Sequence, residues 1–230
     1  MDPFVLKNLN KARQARQAAI VITHLGDGRD RMVLEADNVE GELGEAVRKT
    51  FASGKSAKLE ISGHPYFLNV HLPSPRLVII GAVHISQALA PMAAIAGFEV
   101  SIIDPRTAFA TQERFGEFNL FPEWPQEVLP EAPLDAFTAL AAVTHDPKID
   151  DFPLAAALNA DCFYIGALGS RKTHAKRLER LKELGIPAEK LDEIKAPIGL
   201  DIKATSPQEI AVAILAEIIG ELRNRGIEHK

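Results

Sequence analysis

From Leu77 onward, short apolar runs alternate with stretches of helical spacing, and this alternation constrains the fold more than any other feature. The strand-like runs are LVIIG at 77–81, EVSIID at 99–104, FTALAAVT at 137–144 and CFYIGALG at 162–169. Runs that are apolar throughout are typical of parallel strands that are buried on both faces and joined by crossover helices. The second half of the chain is therefore predicted to be an α/β domain with a doubly wound, mostly parallel sheet.

The first half of the chain has a different pattern. Helices are predicted over 3–18 and over GELGEAVRKTFASGK at 41–55, and two hairpins are predicted by AIVIT and RMVLE around GDGRD and by KLEIS and YFLNVHL around Gly-His-Pro. These elements predict a small α+β domain. The segment LPSPR at 72–76 has the proline-rich composition of a domain boundary, so we expect an N-terminal domain of residues 1–73 and a C-terminal domain of residues 74–230.

Composition excludes several classes of protein. A net charge of -5 argues against a dedicated nucleic-acid binder, which needs a basic surface. The single cysteine, Cys162, can form neither an intramolecular disulfide nor a cysteine-rich metal site, and the seven histidines have no metal-ligand spacing. No segment is long and apolar enough for a membrane span, and the N-terminus does not have the pattern of a leader peptide. We expect a cytoplasmic protein without a bound metal.

The turn after the first apolar run has only part of a dinucleotide-binding motif. The motif G-x-G-x-x-G begins at Gly81, but Val83 stands where the second glycine lets a pyrophosphate approach the backbone. Asp104, after the next strand, is placed like the acidic residue that binds a ribose in such folds. Its alternative role is that of a turn residue before Pro105. The pattern leaves NAD(P) binding open.

A second strand, glycine turn and helix occur at Gly166-Ala-Leu-Gly-Ser-Arg171. Ser170 can cap the helix, but Arg171 and Lys172 then lie in its first turn, where the helix dipole is already positive. A bound anion over Gly169 and Ser170 would remove this conflict. The alternative is an ordinary amphipathic helix, with Ala175, Leu178 and Leu181 facing inward and the basic side chains in water.

The segment Thr144-His145-Asp146-Pro147 follows the strand FTALAAVT. Asp146 is predicted to cap a helix that begins at Pro147. Thr144 and His145 would then lie at the carboxyl edge of the sheet, where open α/β folds bind ligands, and His84 would lie there too.

Several of these stretches together resemble the xanthine dehydrogenase accessory protein family, also called XdhC/CoxI. The resembling stretches are GAVHISQALAPMAAIAGFEVSIIDPR at 81–106, THDP at 144–147, YIGALGSRKTHAKRLERL at 164–181 and APIGLDIKATSPQEIAVAILAEI at 196–218. The resemblance implies a Rossmann-like C-terminal domain. It also implies a maturation factor that binds the molybdenum cofactor, or molybdopterin, and aids its sulfuration or its insertion into a molybdenum hydroxylase of the xanthine dehydrogenase or CO dehydrogenase type.

The resemblance also implies partners and a binding site. We expect the molybdenum hydroxylase apoenzyme as partner, with a cysteine desulfurase as a further partner, and we expect a homodimer. No catalytic residue is assigned, since a cofactor chaperone need not be an enzyme. We expect the cofactor to be held by residues of the sheet edge, namely Gly81, Ala82, Val83, His84, Asp104, Arg106, Thr144, His145, Asp146, Gly166, Gly169, Ser170 and Arg171. Two alternatives stay open: an NAD(P)-binding oxidoreductase, and a docking scaffold that binds no ligand.

Overall fold

A computed structural model describes residues 2–225 of the chain, which divide into two compact units. The division falls between Pro73 and Ser74, and residues 223–225 are grouped with the first unit. The first unit contains α1 (Pro3–Gln14), β1 (Ala19–His24), β2 (Asp30–Leu34), α2 (Gly41–Ser53), β3 (Ala57–Ile61) and β4 (His64–His71).

The first unit is a four-stranded antiparallel sheet with two helices. The strand order is β2-β1-β4-β3, so the two predicted hairpins are joined through the pairing of β1 with β4. One face of helix α1 is apolar, and its buried residues Val5, Leu9 and Ala12 pack against Ala19 and Val21 of β1. The small α+β fold predicted for this half is confirmed.

The second unit alternates strands and helices along most of its length, except that α7 is followed directly by a second helix. Its elements are β5 (Arg76–Ile80), α3 (His84–Ile95), β6 (Glu99–Ile103), α4 (Gln112–Phe115), β7 (Asn119–Phe121), α5 (Pro125–Val128), β8 (Thr138–Ala142), α6 (Pro147–Asn159), β9 (Tyr164–Ala167), α7 (Arg171–Glu183), α8 (Ala188–Leu191), β10 (Ile194–Lys195) and α9 (Pro207–Asn224). The strands form one six-stranded parallel sheet in the order β10-β9-β8-β5-β6-β7. The predicted doubly wound α/β fold is confirmed.

The strand order places the topological switch point of the sheet between β5 and β8. The chain runs from β5 outward through β6 and β7, and then returns to the other side of β5 to form β8, β9 and β10. Adjacent strands whose connections leave in opposite directions open a crevice at their carboxyl ends, where such folds bind ligands. The loops after β5 and β8 therefore border this crevice.

Alternate residues of β5 pack into two apolar layers, as a sheet covered on both faces requires. Leu77 and Ile79 contribute to one layer together with buried residues of α3 and α9, and Val78 and Ile80 contribute to the other with buried residues of α6. The apolar run at 77–80 is buried on both sides for this reason.

Three local features differ from the sequence expectations or add to them. Helix α3 begins at His84 and continues past Pro91 to Ile95, with the proline inside the helix. In α7, Leu181 is buried as predicted, but Ala175 is exposed and Arg177 is buried instead. No helix among the described residues has both the length and the apolar character needed to cross a membrane.

The segment PIGLD at 197–201 packs closely against both β9 and α9. The sequence alone does not indicate this structural role. Gly199 has φ +89°, and a side chain there would come within 2.9 Å of the backbone nitrogen of Ile214. A side chain at Gly166 would come within 2.6 Å of both Ile198 and the Tyr164 hydroxyl. The close packing of this loop thus explains the glycine at 166.

Candidate functional site

The turn after β5 touches the loop after β8. Gly81 has φ +118°, and a side chain there would lie 2.8 Å from Cγ2 and 3.3 Å from the backbone nitrogen of Thr144. Only glycine combines this backbone conformation with so close an approach. Gly81 and Thr144, both predicted as site residues, are therefore brought together at the crevice between β5 and β8.

Asp104 stabilises the glycine turn after β5 through hydrogen bonds. Its Oδ2 accepts hydrogen bonds from the Ala82 N–H at 2.7 Å and from Nη2 of Arg106 at 2.7 Å. Its Oδ1 accepts from the backbone N–H and from Nε of Arg106, both at 2.9 Å. Burial by itself raises the pKa of Asp104, but the hydrogen bonds from Arg106 and Ala82 outweigh burial, so this pKa lies below its ordinary value.

The hydrogen bonds of Asp104 decide whether its carboxylate is available to a ribose hydroxyl. Asp104 is 0% exposed, and its four hydrogen bonds use the roughly four acceptor positions of a carboxylate. A ribose hydroxyl would have to displace Arg106 or the Ala82 amide. Val83 is half-buried and packs against the apolar layer that contains Leu77, whereas His84 is exposed.

Arg114 contacts this turn but was not predicted as a site residue from the sequence. It comes from α4, in the irregular connection after β6, and donates through Nη1 to the carbonyl oxygens of Ala82 at 2.9 Å and Phe109 at 2.7 Å. Its Nη2 donates to the Gln87 side chain at 2.9 Å. An arginine in a segment without periodicity gives no signal in the sequence that it would reach back to the glycine turn.

The loop after β8 has the predicted helix cap and one unusual backbone conformation. Asp146 accepts a hydrogen bond from the Lys148 N–H at 3.0 Å and caps α6, whose first residue is Pro147. His145 has φ +66° and is exposed. Thr144 is buried, and its hydroxyl donates to Asp150 at 2.7 Å. The cap is confirmed, and Thr144 links the loop to the first turns of α6.

A cleft of about 330 Å³ lies between the N-terminal part of α6 and the side of α7 that runs from Lys172 to Arg180. We call it the α6–α7 cleft, and it is lined by His145, Pro147, Asp150, Asp151, Lys172, Thr173, Lys176, Arg177 and Arg180. His145 is the predicted site residue that lines it. Arg171, in the first turn of α7, is exposed and does not line it.

Arg177 is a charged side chain of the cleft with only 2% of its surface exposed. Its Nη2 donates to the Leu168 carbonyl oxygen at 2.8 Å. Its Nε and Nη1 are buried and have no hydrogen-bond partner among residues 2–225. Burial lowers the pKa of this guanidinium. The sequence did carry a signal: Arg177 lies four residues before buried Leu181, on the inner face of the helix.

Asp150 and Asp151 of α6 also line the cleft, and their contacts differ. Asp151 forms a two-point ion pair with Arg180, with 2.9 Å between Oδ1 and Nη2. Asp150 is 1% exposed, and its Oδ2 has no hydrogen-bond partner in the described part of the chain. Burial raises the pKa of Asp150 to about 6, although the Thr144 hydroxyl and the charge of Arg177 act in the opposite direction.

The turn after β9 caps α7 with Ser170, whose hydroxyl accepts from the Thr173 N–H at 3.2 Å. Gly169 has φ +134°, a conformation that favours glycine. The first turn of α7 contains no acidic residue. No group of three or more His, Cys, Asp or Glu that could hold a metal ion occurs within residues 2–225.

Comparisons with known proteins agree with this architecture. Residues 77–218 match the model of the XdhC Rossmann domain. The chain is 36% identical over 146 residues to the molybdenum cofactor insertion chaperone PaoD of Escherichia coli, covering 64% of this chain and 40% of PaoD. It is 34% identical over 148 residues to a probable xanthine dehydrogenase subunit of Bacillus subtilis, covering 64% of this chain and 43% of that protein.

Two further similarities extend the comparison. The Escherichia coli protein YqeB is 35% identical over 164 residues, which are 66% of this chain and 28% of YqeB. The chain thus spans less than half the length of these three curated relatives. A crystal structure of a xanthine dehydrogenase from Bacillus halodurans has the same fold, with a TM-score of 0.69 at 23% identity over 96% of this chain and 67% of that one. Because the matched model covers more than half of its residues, the chain belongs to the XdhC family through its Rossmann domain.

Proposed function

We propose that this chain is an accessory factor that carries the molybdenum cofactor to a molybdenum hydroxylase of the xanthine dehydrogenase type. The observation that carries the proposal is the 36% identity over 146 residues to a protein named as a molybdenum cofactor insertion chaperone. The Bacillus subtilis relative, whose name refers to xanthine dehydrogenase, supports the same class of client enzyme.

The carboxyl edge of the parallel sheet supplies groups that suit such a cofactor. A molybdopterin has a terminal phosphate and a polar fused ring system, which require hydrogen-bond donors and positive charge. The donors would come from the glycine turn at 81–84, the loop at 144–146 and the capped turn at 166–171. When bound, the cofactor supplies the redox chemistry of the client enzyme, and the residues of this chain bind it and orient it for transfer.

The geometry supports NAD(P) less well than a pterin. The fingerprint glycine is replaced by Val83, and the carboxylate that would bind the ribose is already bonded to Ala82 and Arg106. A terminal phosphate and a pterin ring need neither the close backbone approach nor the ribose-binding carboxylate.

Sulfur transfer, in this proposal, belongs to a partner desulfurase. Cys162 is the single cysteine of the sequence and is buried. Burial raises the pKa of its thiol to about 12, so at neutral pH it is protonated and a poor nucleophile. The chain would hold the cofactor while the partner delivers sulfur.

The test is a binding and transfer experiment with the full chain. The protein is mixed with molybdenum cofactor or with NAD and passed through a desalting column, and the retained pterin is measured by its fluorescence after oxidation. The loaded protein is then added to cofactor-free hydroxylase, and the recovery of hydroxylase activity is followed. Retention of the pterin and transfer faster than from free cofactor would support the proposal, whereas retention of NAD alone would replace it with an oxidoreductase.

A further inference from the structure

We infer that the α6–α7 cleft binds a phosphate group, with Arg177 as its buried anchor and Lys172 and Lys176 beside it. The inference rests on the proposed function only in the source of the phosphate, which we take to be the terminal phosphate of the cofactor. The anion chemistry of the cleft follows from its own residues.

The first argument is the arrangement of Arg177. Its Nη2 is anchored on Leu168, while Nε and Nη1 are buried without a partner in the described residues. Buried charged donors that lack a hydrogen-bond acceptor are costly even with the charges of Asp150 and Asp151 nearby, and an acceptor that arrives from outside would remove this cost. A guanidinium presents neighbouring N–H groups as a planar fork, which matches two oxygens of a phosphate.

The second argument is the charge of the lining. Four cationic side chains, Lys172, Lys176, Arg177 and Arg180, face two carboxylates, Asp150 and Asp151, so the cleft has an excess of two positive charges. The whole chain, by contrast, has a net charge of -5. Arg180 and Asp151 neutralise each other, and no ion pair is formed by Lys172 or Lys176 within residues 2–225. The excess charge is therefore available to a ligand.

The third argument is the position of the cleft on α7. Lys172 and Thr173 belong to the first turn of this 13-residue helix, whose N-terminal end carries a partial positive charge. Asp150 opposes an anion here, whereas the second carboxylate, Asp151, is paired with Arg180. The Asp150 carboxyl is buried beside the cleft and, when protonated, could donate a hydrogen bond to a phosphate oxygen through Oδ2.

The experiment uses the full chain and inorganic phosphate as the probe. Phosphate is titrated into the unmodified protein and into Lys172→Met/Lys176→Met by calorimetry at constant ionic strength. Both lysines are exposed, so their replacement should leave the fold intact. The matched control is Lys182→Met, an exposed lysine at the other end of α7 that does not line the cleft. We expect the double variant to bind phosphate about ten- to a hundredfold more weakly and the control to bind normally.

A second variant tests the anchor. Arg177→Met has similar length and no charge, so it should abolish phosphate binding without lowering the melting temperature measured in phosphate-free buffer. If Arg177 were a structural residue, the melting temperature would fall and the phosphate affinity of any folded protein would be kept. Absence of phosphate binding to the unmodified chain, or equal losses in the lysine pair and the Lys182 control, would overturn the inference.

Competition identifies the source of the phosphate. If molybdenum cofactor and inorganic phosphate exclude each other, and both bind more weakly to the lysine variant, the cleft takes the phosphate of the cofactor. If phosphate binds and the cofactor does not, the cleft takes free phosphate and the proposed function fails while the inference stands. Failure of phosphate binding with normal cofactor retention would reject the inference alone.

Discussion

At Asp104, a residue placed like a ribose-binding carboxylate is used to hold the turn itself. It is fully buried, ion-paired with Arg106 and bonded to the amide of Ala82. Since Ala82 belongs to the turn after β5, the carboxylate fixes the shape of this turn through groups of the protein itself. Asp104 is therefore a positioning residue in this arrangement.

Replacing Asp104 by asparagine should destabilise the protein by about 1–3 kcal/mol, the typical cost of leaving buried donors without their acceptor, since the Arg106 side chain of this pair is itself 33% exposed. The amide would place donors against the N–H groups of Ala82 and Arg106, and Arg106 would lose its counter-charge. Urea unfolding measures the change. The matched control is Asp201→Asn, since Asp201 is exposed and pairs with exposed Lys203. Equal, small losses in both variants would show that the turn does not depend on Asp104.

Asp150→Asn should stabilise the protein at neutral pH by about 1–3 kcal/mol, because the folded state raises the pKa of this carboxyl to about 6 from an ordinary value of 3.8. Below the ordinary value the carboxyl is protonated in both states, and its burial carries no ionisation penalty. Between the ordinary value of 3.8 and about 6 the unfolded chain ionises while the folded protein keeps the proton, so stability is lost across this range and is level above it. The gain from asparagine should thus be fully present at pH 7.5 and small near pH 4.

Urea titrations at these two pH values measure the difference in the free energy of unfolding between the unmodified protein and Asp150→Asn. Asp192→Asn, at an exposed position, serves as the control and should be neutral at both pH values. A constant gap between pH 4 and pH 7.5 would mean that Asp150 is charged without penalty in the folded protein.

Among the elements, α7 has basic residues at both ends, with opposite consequences. Arg171 and Lys172 lie in its first turn, and Arg180 and Lys182 lie in its last. The helix dipole opposes a cation at the first turn and favours one at the last. The first turn therefore carries an electrostatic cost that a bound anion would offset.

Arg171→Ala should raise the stability of the protein without ligand by about 0.3–0.5 kcal/mol, whereas Lys182→Ala should lower it by a similar amount. Both residues are exposed, so packing changes little. Thermal unfolding at low salt measures the two shifts, and added salt should reduce both. Arg171→Ala should also weaken cofactor binding. A loss of stability in Arg171→Ala would show that its side chain has a structural contact.

The elements that have a local or periodic sequence pattern could be predicted from the sequence. The apolar runs at 77–81 and 137–144 indicated buried parallel strands, and the caps at Asp146 and Ser170 were readable because capping depends on neighbouring residues. The contact between Gly81 and Thr144 could be predicted from the sequence only in part. The strand order decides which loops meet, and no local pattern specifies that order.

The rest of the site depends on long-range contacts that the sequence does not display. Arg114 reaches the glycine turn from a segment without periodicity, and Arg177 is buried where an amphipathic pattern predicts apolar residues. Ala175 was expected on the inner face and is exposed. A charged residue in an apolar stripe is the sequence feature that could have indicated the cleft.

At the scale of the whole molecule, the unit Ser74–Leu222 contains its own sheet and both covering layers. We propose that it is an independent domain. A fragment of residues 74–225 should unfold cooperatively with heat, as measured by circular dichroism.

The control is a fragment of residues 83–225, which lacks β5 and with it the central pairings to β6 and β8. It should not fold. A broad, non-cooperative transition in the longer fragment would show that the second unit depends on the first.

The position of β5 at the centre of the sheet has a consequence for synthesis on the ribosome. Strands β6 and β7 emerge directly after β5 and pair on one side of it, but the other side pairs with β8, which is translated much later. At a translation rate of about 5–20 residues per second, one edge of an apolar strand stays open for several seconds. Unpaired edges of this kind invite pairing with other chains. The nascent chain should therefore need a general chaperone most while residues 81–137 are being made, before β8 can pair with β5.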